Sequence, residues 1–95
     1  MTNKQPRNKE KSSRGKIPEE NYLLVLHNDD INSFDYVINA LIDVCAHAFE
    51  QAVQCTLIAH YKGSCDVRKG NFKTLEKMKC TLTSKGLTVT INSKP

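Results

Sequence analysis

Tyr22-Leu23-Leu24-Val25-Leu26-His27 is an unbroken, largely apolar run of strand length, and the rest of the chain has to be built around it. A strand exposed on one face alternates apolar and polar residues; a continuous run predicts a central strand covered on both faces. Asn28-Asp29-Asp30 ends the run with three residues that favour turns, because their short polar side chains bond to nearby backbone. Such a strand needs neighbouring strands for its N–H and C=O groups and helices for its apolar side chains.

The remaining pattern supplies both. Asn32 reads as a helix N-cap, with Asp35 three residues on as a short-armed capping box. Val37, Ile38, Leu41, Val44, Cys45 and Ala48 follow at helical spacing, and Phe49, Ala52, Val53, Thr56, Leu57 and His60 continue it. No Gly or Pro separates Val44 from Phe49, so periodicity alone permits either two helices or one long one. Gly63 is the expected C-cap. Ser64 to Lys69 reads as a short edge strand ended by Gly70, and Asn71 as the N-cap of a third helix through Leu75, Met78 and Leu82, closed by Gly86. Leu87, Val89 and Ile91 alternate with Thr88, Thr90 and Asn92, a strand buried on one face. The order predicts a compact α/β protein, an α+β sandwich with three helices packed on one face of a small three-stranded sheet.

Residues 1–20 stand apart. Their only apolar side chains are Met1 and Ile17, against six Lys or Arg, three Glu and two Pro. So little apolar surface cannot offset the entropy of ordering, which predicts a disordered basic extension ahead of a folded core at 21–95. No apolar run follows the basic residues, so the segment does not read as a signal peptide, and no stretch approaches the roughly 18 apolar residues of a membrane span. A soluble, cytoplasmic protein is expected. Cysteines at 45, 55, 65 and 80 match no zinc spacing and read as reduced thiols, with Cys45 and Cys55 as core residues. The histidines at 27, 47 and 60 share no metal-ligand spacing, and no metal or other cofactor is expected.

Two features carry chemistry. Asn28-Asp29-Asp30 places two carboxylates and an amide oxygen at the end of a buried strand, with Phe34 and Val37 just beyond; His60 closes the second helix within Ala59-His60-Tyr61-Lys62-Gly63. Several acceptors at one point suit a small cation with N–H donors, such as a protonated amine. The plainer alternative is that the turn only ends a strand and His60 only covers a helix face.

The run from Tyr22 to Asp30 resembles the signature of the Clp protease adaptor family (ClpS, the N-degron adaptors): Tyr, a hydrophobic strand, then Asn-Asp-Asp. Glu50-Gln51-Ala52 through Ala59-His60-Tyr61-Lys62-Gly63 is similar to the family's second helix and its ending. The likeness runs without a gap from Tyr22 to Gly63, weakens across the third helix, and resumes at Gly86-Leu87-Thr88-Val89-Thr90-Ile91. It implies a monomeric adaptor, not an enzyme, that binds the free N-terminus of proteins beginning with Leu, Phe, Tyr or Trp. The captured protein passes to the N-terminal domain of a Clp-family AAA+ unfoldase and its protease.

Carried over by position, Asn28, Asp30 and His60 would hold the α-ammonium with Asp29 at the rim. Leu26, Asn32, Phe34, Val37, Thr56, Ala59 and Leu87 would line the pocket. Phe34 stands where the family often has a gating Met that excludes β-branched side chains. Thr56 and Ala59 replace larger apolar residues, implying a wider or slightly more polar pocket. Lys73 and Met78 stand at unfoldase-docking positions where the family carries an acidic and a basic residue. The basic extension resembles the flexible N-terminal arm that the unfoldase engages.

Other classes fit less well. No nucleophile sits in a recognisable context, and no Gly-rich phosphate loop, HExxH or GxSxG is present. A small basic nucleic-acid- or ribosome-associated module is the alternative. It would use the extension with Lys62, Arg68, Lys69, Lys73, Lys77 and Lys79. Yet the net charge of +4 lies mostly in residues 1–20, aromatics for stacking are few, and Asp29-Asp30 repels phosphate. Neither nucleic acid nor membrane is an expected partner.

Overall fold

The computed structural model describes residues 21–93; the basic extension at 1–20 lies outside the described residues. β1 (Tyr22–His27) is followed by α1 (Phe34–Cys45), α2 (Phe49–Lys62), β2 (Ser64–Gly70), α3 (Phe72–Ser84) and β3 (Val89–Ser93). The sheet order is β2-β1-β3, antiparallel throughout, so β1 is the central strand as its apolar run demands. Leu24 and Leu26 point into a core shared with Leu41 and Ala52 from α1 and α2, and with Leu75 and Leu82 from α3. Val25, on the opposite face between its partners Asp66 and Thr90, is also buried but stands outside that core. The helices cover one face of β1 only, and on the other Val25 alone is buried, so the cover on both faces expected of this strand is met at that one position. A register shift beside Leu24/Val25 bulges β2 and lets both Val67 and Arg68 act on the core side: Val67 packs in it, and Arg68 donates to the Cys45 carbonyl at 2.7 Å.

The long-helix alternative is ruled out by Ala46, which takes the left-handed conformation at φ 57° and ends α1. No residue type announces this break. It is held from outside the helix, by Arg68 on the Cys45 carbonyl and by the buried His47 ring, whose Nε2 donates to the Val67 carbonyl at 2.8 Å. β2 thus splits the helical pattern in two, and α2 returns towards the end of β1 where α1 began.

The N-cap of α1 is Ser33, whose Oγ accepts from the Tyr36 N–H at 3.2 Å, and not Asn32 with Asp35. Asn32 is drawn away by partners distant in sequence. The other caps stand where expected: Gly63 at φ 97° ends α2, and Asn71 Oδ1 accepts from the Thr74 N–H at 2.8 Å. α3 closes in a Schellman motif, with Gly86 at φ 90°, Gly86 N–H on the Thr83 carbonyl and Leu87 N–H on the Leu82 carbonyl. Leu82 and Leu87 are both buried, the apolar contact this motif favours.

Candidate functional site

β1 delivers its last residues to the same edge of the molecule as the end of α2 and the start of α1. Asn28 N–H donates to the Gly63 carbonyl at 2.9 Å, and His27 N–H to the Thr88 carbonyl at 2.9 Å, so the end of β1 is fixed to the cap of α2 and to the segment that joins α3 to β3. Asp29 organises the turn itself. One carboxylate oxygen accepts from the Ile31 and Asn32 N–H groups, each at 2.8 Å, and the other accepts from Asn32 Nδ2 at 2.9 Å. The second N–H of that amide donates to the Gly86 carbonyl at 3.0 Å, tying the turn to the end of α3. Partial burial pushes the Asp29 carboxyl up, but hydrogen bonds from Asn32 and Ile31 prevail and hold it below the usual carboxylate range. Asp29 therefore keeps its negative charge at the mouth of a cleft.

That cleft is lined by Leu26, His27, Asn28, Asp29, Asn32, Phe34, Val37, Thr56, Ala59 and His60, and is open to solvent at its mouth. Leu26, Val37, Thr56 and Ala59 are all buried. The Thr56 hydroxyl donates to the Ala52 carbonyl of its own helix at 2.8 Å, which satisfies its proton and removes much of the polarity implied by a Thr at this position. The rings of Phe34 and His60 meet edge to face, centroids 5.0 Å apart, and His60 meets Tyr61 likewise at 4.7 Å. The site thus joins an apolar floor to a rim of one carboxylate, two amides and an imidazole. Such a rim can accept hydrogen bonds from a cationic donor while the floor takes an apolar group.

Most of the expected site residues converge here, with two exceptions. Leu87 does not line the cleft, because the Schellman closure of α3 turns it into the core at 3% exposure. Asp30 does not line it either: it is exposed, and Asp29, expected only at the rim, takes the place beside Asn28 and His60. His27 borders the cleft without having been singled out, but its ring is engaged elsewhere, with Nε2 2.8 Å from the Thr90 hydroxyl on β3, which leaves His60 as the imidazole of the rim. Lys73 and Met78 lie on α3 outside the cleft, Lys73 exposed and Met78 half-buried against the core. No group of three or more potential metal ligands occurs among the described residues. No described helix is long and apolar enough to cross a membrane.

A three-stranded antiparallel sheet with three helices on one face, opening a half-polar cleft at the end of its central strand, defines a small α+β sandwich. The model of the family described as "ATP-dependent Clp protease adaptor protein ClpS" matches residues 17–90, and the chain belongs to that family. It is 34% identical over 61 residues to the ATP-dependent Clp protease adapter protein ClpS of Edwardsiella ictaluri, covering 64% of this chain and 58% of that protein. It is 43% identical over 42 residues to the protein of that name from Oleidesulfovibrio alaskensis, covering 44% of this chain and 40% of the relative. The aligned region thus spans roughly half the length of these relatives. A solved structure of Agrobacterium tumefaciens ClpS2 bound to L-phenylalaninamide superposes with a TM-score of 0.77 at 22% identity, over 81% of this chain and all of that one. This match shows the fold.

Proposed function

We propose that the cleft captures the free N-terminus of proteins that begin with a bulky hydrophobic residue (Leu, Phe, Tyr or Trp). The chain then delivers them to a Clp-family AAA+ unfoldase and its protease for degradation, acting as an adaptor and not as an enzyme. One observation carries the reading: Asn28, Asp29 and His60 stand at the rim of a cleft whose walls are Leu26, Val37, Thr56 and Ala59. The only chemical group that offers a fixed ammonium one bond from an apolar side chain, on any protein, is its first residue. The phenylalaninamide bound by ClpS2 of A. tumefaciens has this chemistry, a free α-amine beside a benzyl group.

The magnitudes suffice. Burying a Leu or Phe side chain contributes roughly 1.5–3 kcal/mol, and each hydrogen bond to a charged group roughly 1.5–3 kcal/mol. Less the cost of association, that supports binding near micromolar, about 8 kcal/mol. An acetylated or internal amine brings no positive charge and leaves rim acceptors unpaired.

Fluorescence anisotropy tests this with one peptide series, free or N-acetylated, beginning with Leu, Phe, Tyr, Trp, Ile or Met. Free Leu or aromatic peptides should bind at least tenfold more tightly than their acetylated forms, about 1.4 kcal/mol or more. Equal binding of free and acetylated peptides would overturn the proposal. Delivery is read separately, as faster degradation of a Leu-initiated substrate when the chain is added to a Clp unfoldase–protease.

A further inference from the structure

Of the four cysteines, one pair is placed to react together. Cys55 on α2 and Cys65 on β2 both direct their sulfurs at the same acceptor, the Asp66 carbonyl oxygen, at 3.9 and 3.5 Å, which gathers the two thiols around one atom. Their exposures differ: Cys55 is 4% exposed, while Cys65 is partly open to solvent. An accessible thiol next to a sheltered one is the arrangement in which one sulfur meets an oxidant and the other resolves it. Cys80 is exposed but lies on α3, apart from this pair, and Cys45 is fully buried.

We propose that Cys55 and Cys65 form a redox-modification site at which a hydroperoxide drives an intramolecular disulfide, stapling α2 to β2 beside the cleft. The Cys65 thiolate attacks one peroxide oxygen, the O–O bond breaks, and Cys65 becomes a sulfenic acid as the other oxygen leaves as hydroxide, or as alkoxide from an organic hydroperoxide. Cys55 sulfur then attacks the sulfenic sulfur; the S–S bond forms, the S–O bond breaks, and the departing hydroxide takes the Cys55 proton as water. Two thiols are oxidised by two electrons and one peroxide O–O bond is reduced. Burial, with the Cys65 thiol alongside, pushes the Cys55 thiol well above its ordinary range. A free thiolate is therefore costly there, and transferring the proton to the leaving hydroxide avoids one. The staple closes a short loop from Cys55 to Cys65 next to Thr56, which lines the cleft. The inference does not depend on what the cleft binds.

The test treats the reduced full-length chain with stoichiometric hydrogen peroxide, then digests it without reductant for mass spectrometry. The expected result is the loss of two hydrogens and a peptide joining Cys55 to Cys65, with both changes reversed by dithiothreitol. The oxidised protein should unfold at a Tm roughly 5–15 °C higher, as a short closed loop restrains the unfolded chain. Cys65→Ser, at a partly exposed position that tolerates the change, should abolish the intramolecular link. Recovery of Cys65 as a sulfinic acid with Cys55 still reduced, a link through Cys45 or Cys80 instead, or a linked protein whose Tm does not rise would each overturn the proposal.

Discussion

The Asn28 N–H donates to the carbonyl of Gly63 at 2.9 Å, and through this bond the turn after β1 meets the cap of α2. The two segments lie 35 residues apart in sequence (63 − 28), yet the bond sets His60, three residues before that cap, beside Asn28 and Asp29.

Phe34 is 40% exposed and forms a wall of the cleft against His60. Phe34→Ala should open that wall and admit peptides beginning with Ile or Val. Because the ring is half in solvent, the stability loss should stay near the 0.5–1.5 kcal/mol of an aromatic pair, below the roughly 3–5 kcal/mol of a core Phe. Competition binding with Ile- and Val-initiated peptides checks this; their continued exclusion would show that Phe34 is not the gate.

His60 lines the cleft and Asp30 does not, so alanine at the two positions should separate them. His60→Ala is expected to weaken a Leu-initiated peptide by roughly 1–3 kcal/mol, the cost of leaving a charged donor unpaired. Asp30→Ala should cost well under 1 kcal/mol, as expected of an exposed charge in solvent. Equal losses in titrations of the two variants would restore Asp30 to the ammonium site.

Asp29 holds the turn only as a carboxylate. Its hydrogen bonds hold its native pKa below the ordinary carboxylate value, so it binds a proton less readily folded than unfolded. Its contribution to stability is therefore fully present above about pH 4 and is lost as pH falls through the lower native value. Asp29→Asn should lower stability by about 1 kcal/mol at neutral pH, and the gap to wild type should shrink in acid. Urea titrations at pH 7 and pH 3 measure both; a gap independent of pH would remove the charge from the argument.

Ala46 carries a methyl group at φ 57°, where an L side chain crowds the backbone. It is exposed, so the methyl group contributes little packing. Ala46→Gly should stabilise the protein by roughly 0.5–1 kcal/mol, the strain removed exceeding the entropy Gly adds to the unfolded chain. A rise in the urea midpoint at constant slope is the expected readout. A fall would mean that the left-handed turn is not strained.

The amino-acid sequence on its own settled most of the elements, though not the division between α1 and α2. A continuous apolar run makes a central strand wherever it is placed, Gly63, Asn71 and Gly86 stop or start helices through their own backbone and side-chain geometry, and Asn28-Asp29-Asp30 ends β1 as a local turn. It also named most residues of the cleft, because the motifs that resemble the ClpS family carry them. Tertiary structure decided what depends on partners far along the chain. Ala46 breaks the helical pattern because Arg68 and the Val67 carbonyl on β2 hold the chain there. Asn32 gives up the helix cap to Ser33 because Asp29 and the Gly86 carbonyl claim its amide. Leu87 turns into the core under α3, and Asp29, not Asp30, reaches the cleft. Local propensity is a matter of one residue and its near neighbours, whereas a hydrogen bond between Asn32 and Gly86 exists only once both ends of the domain have met.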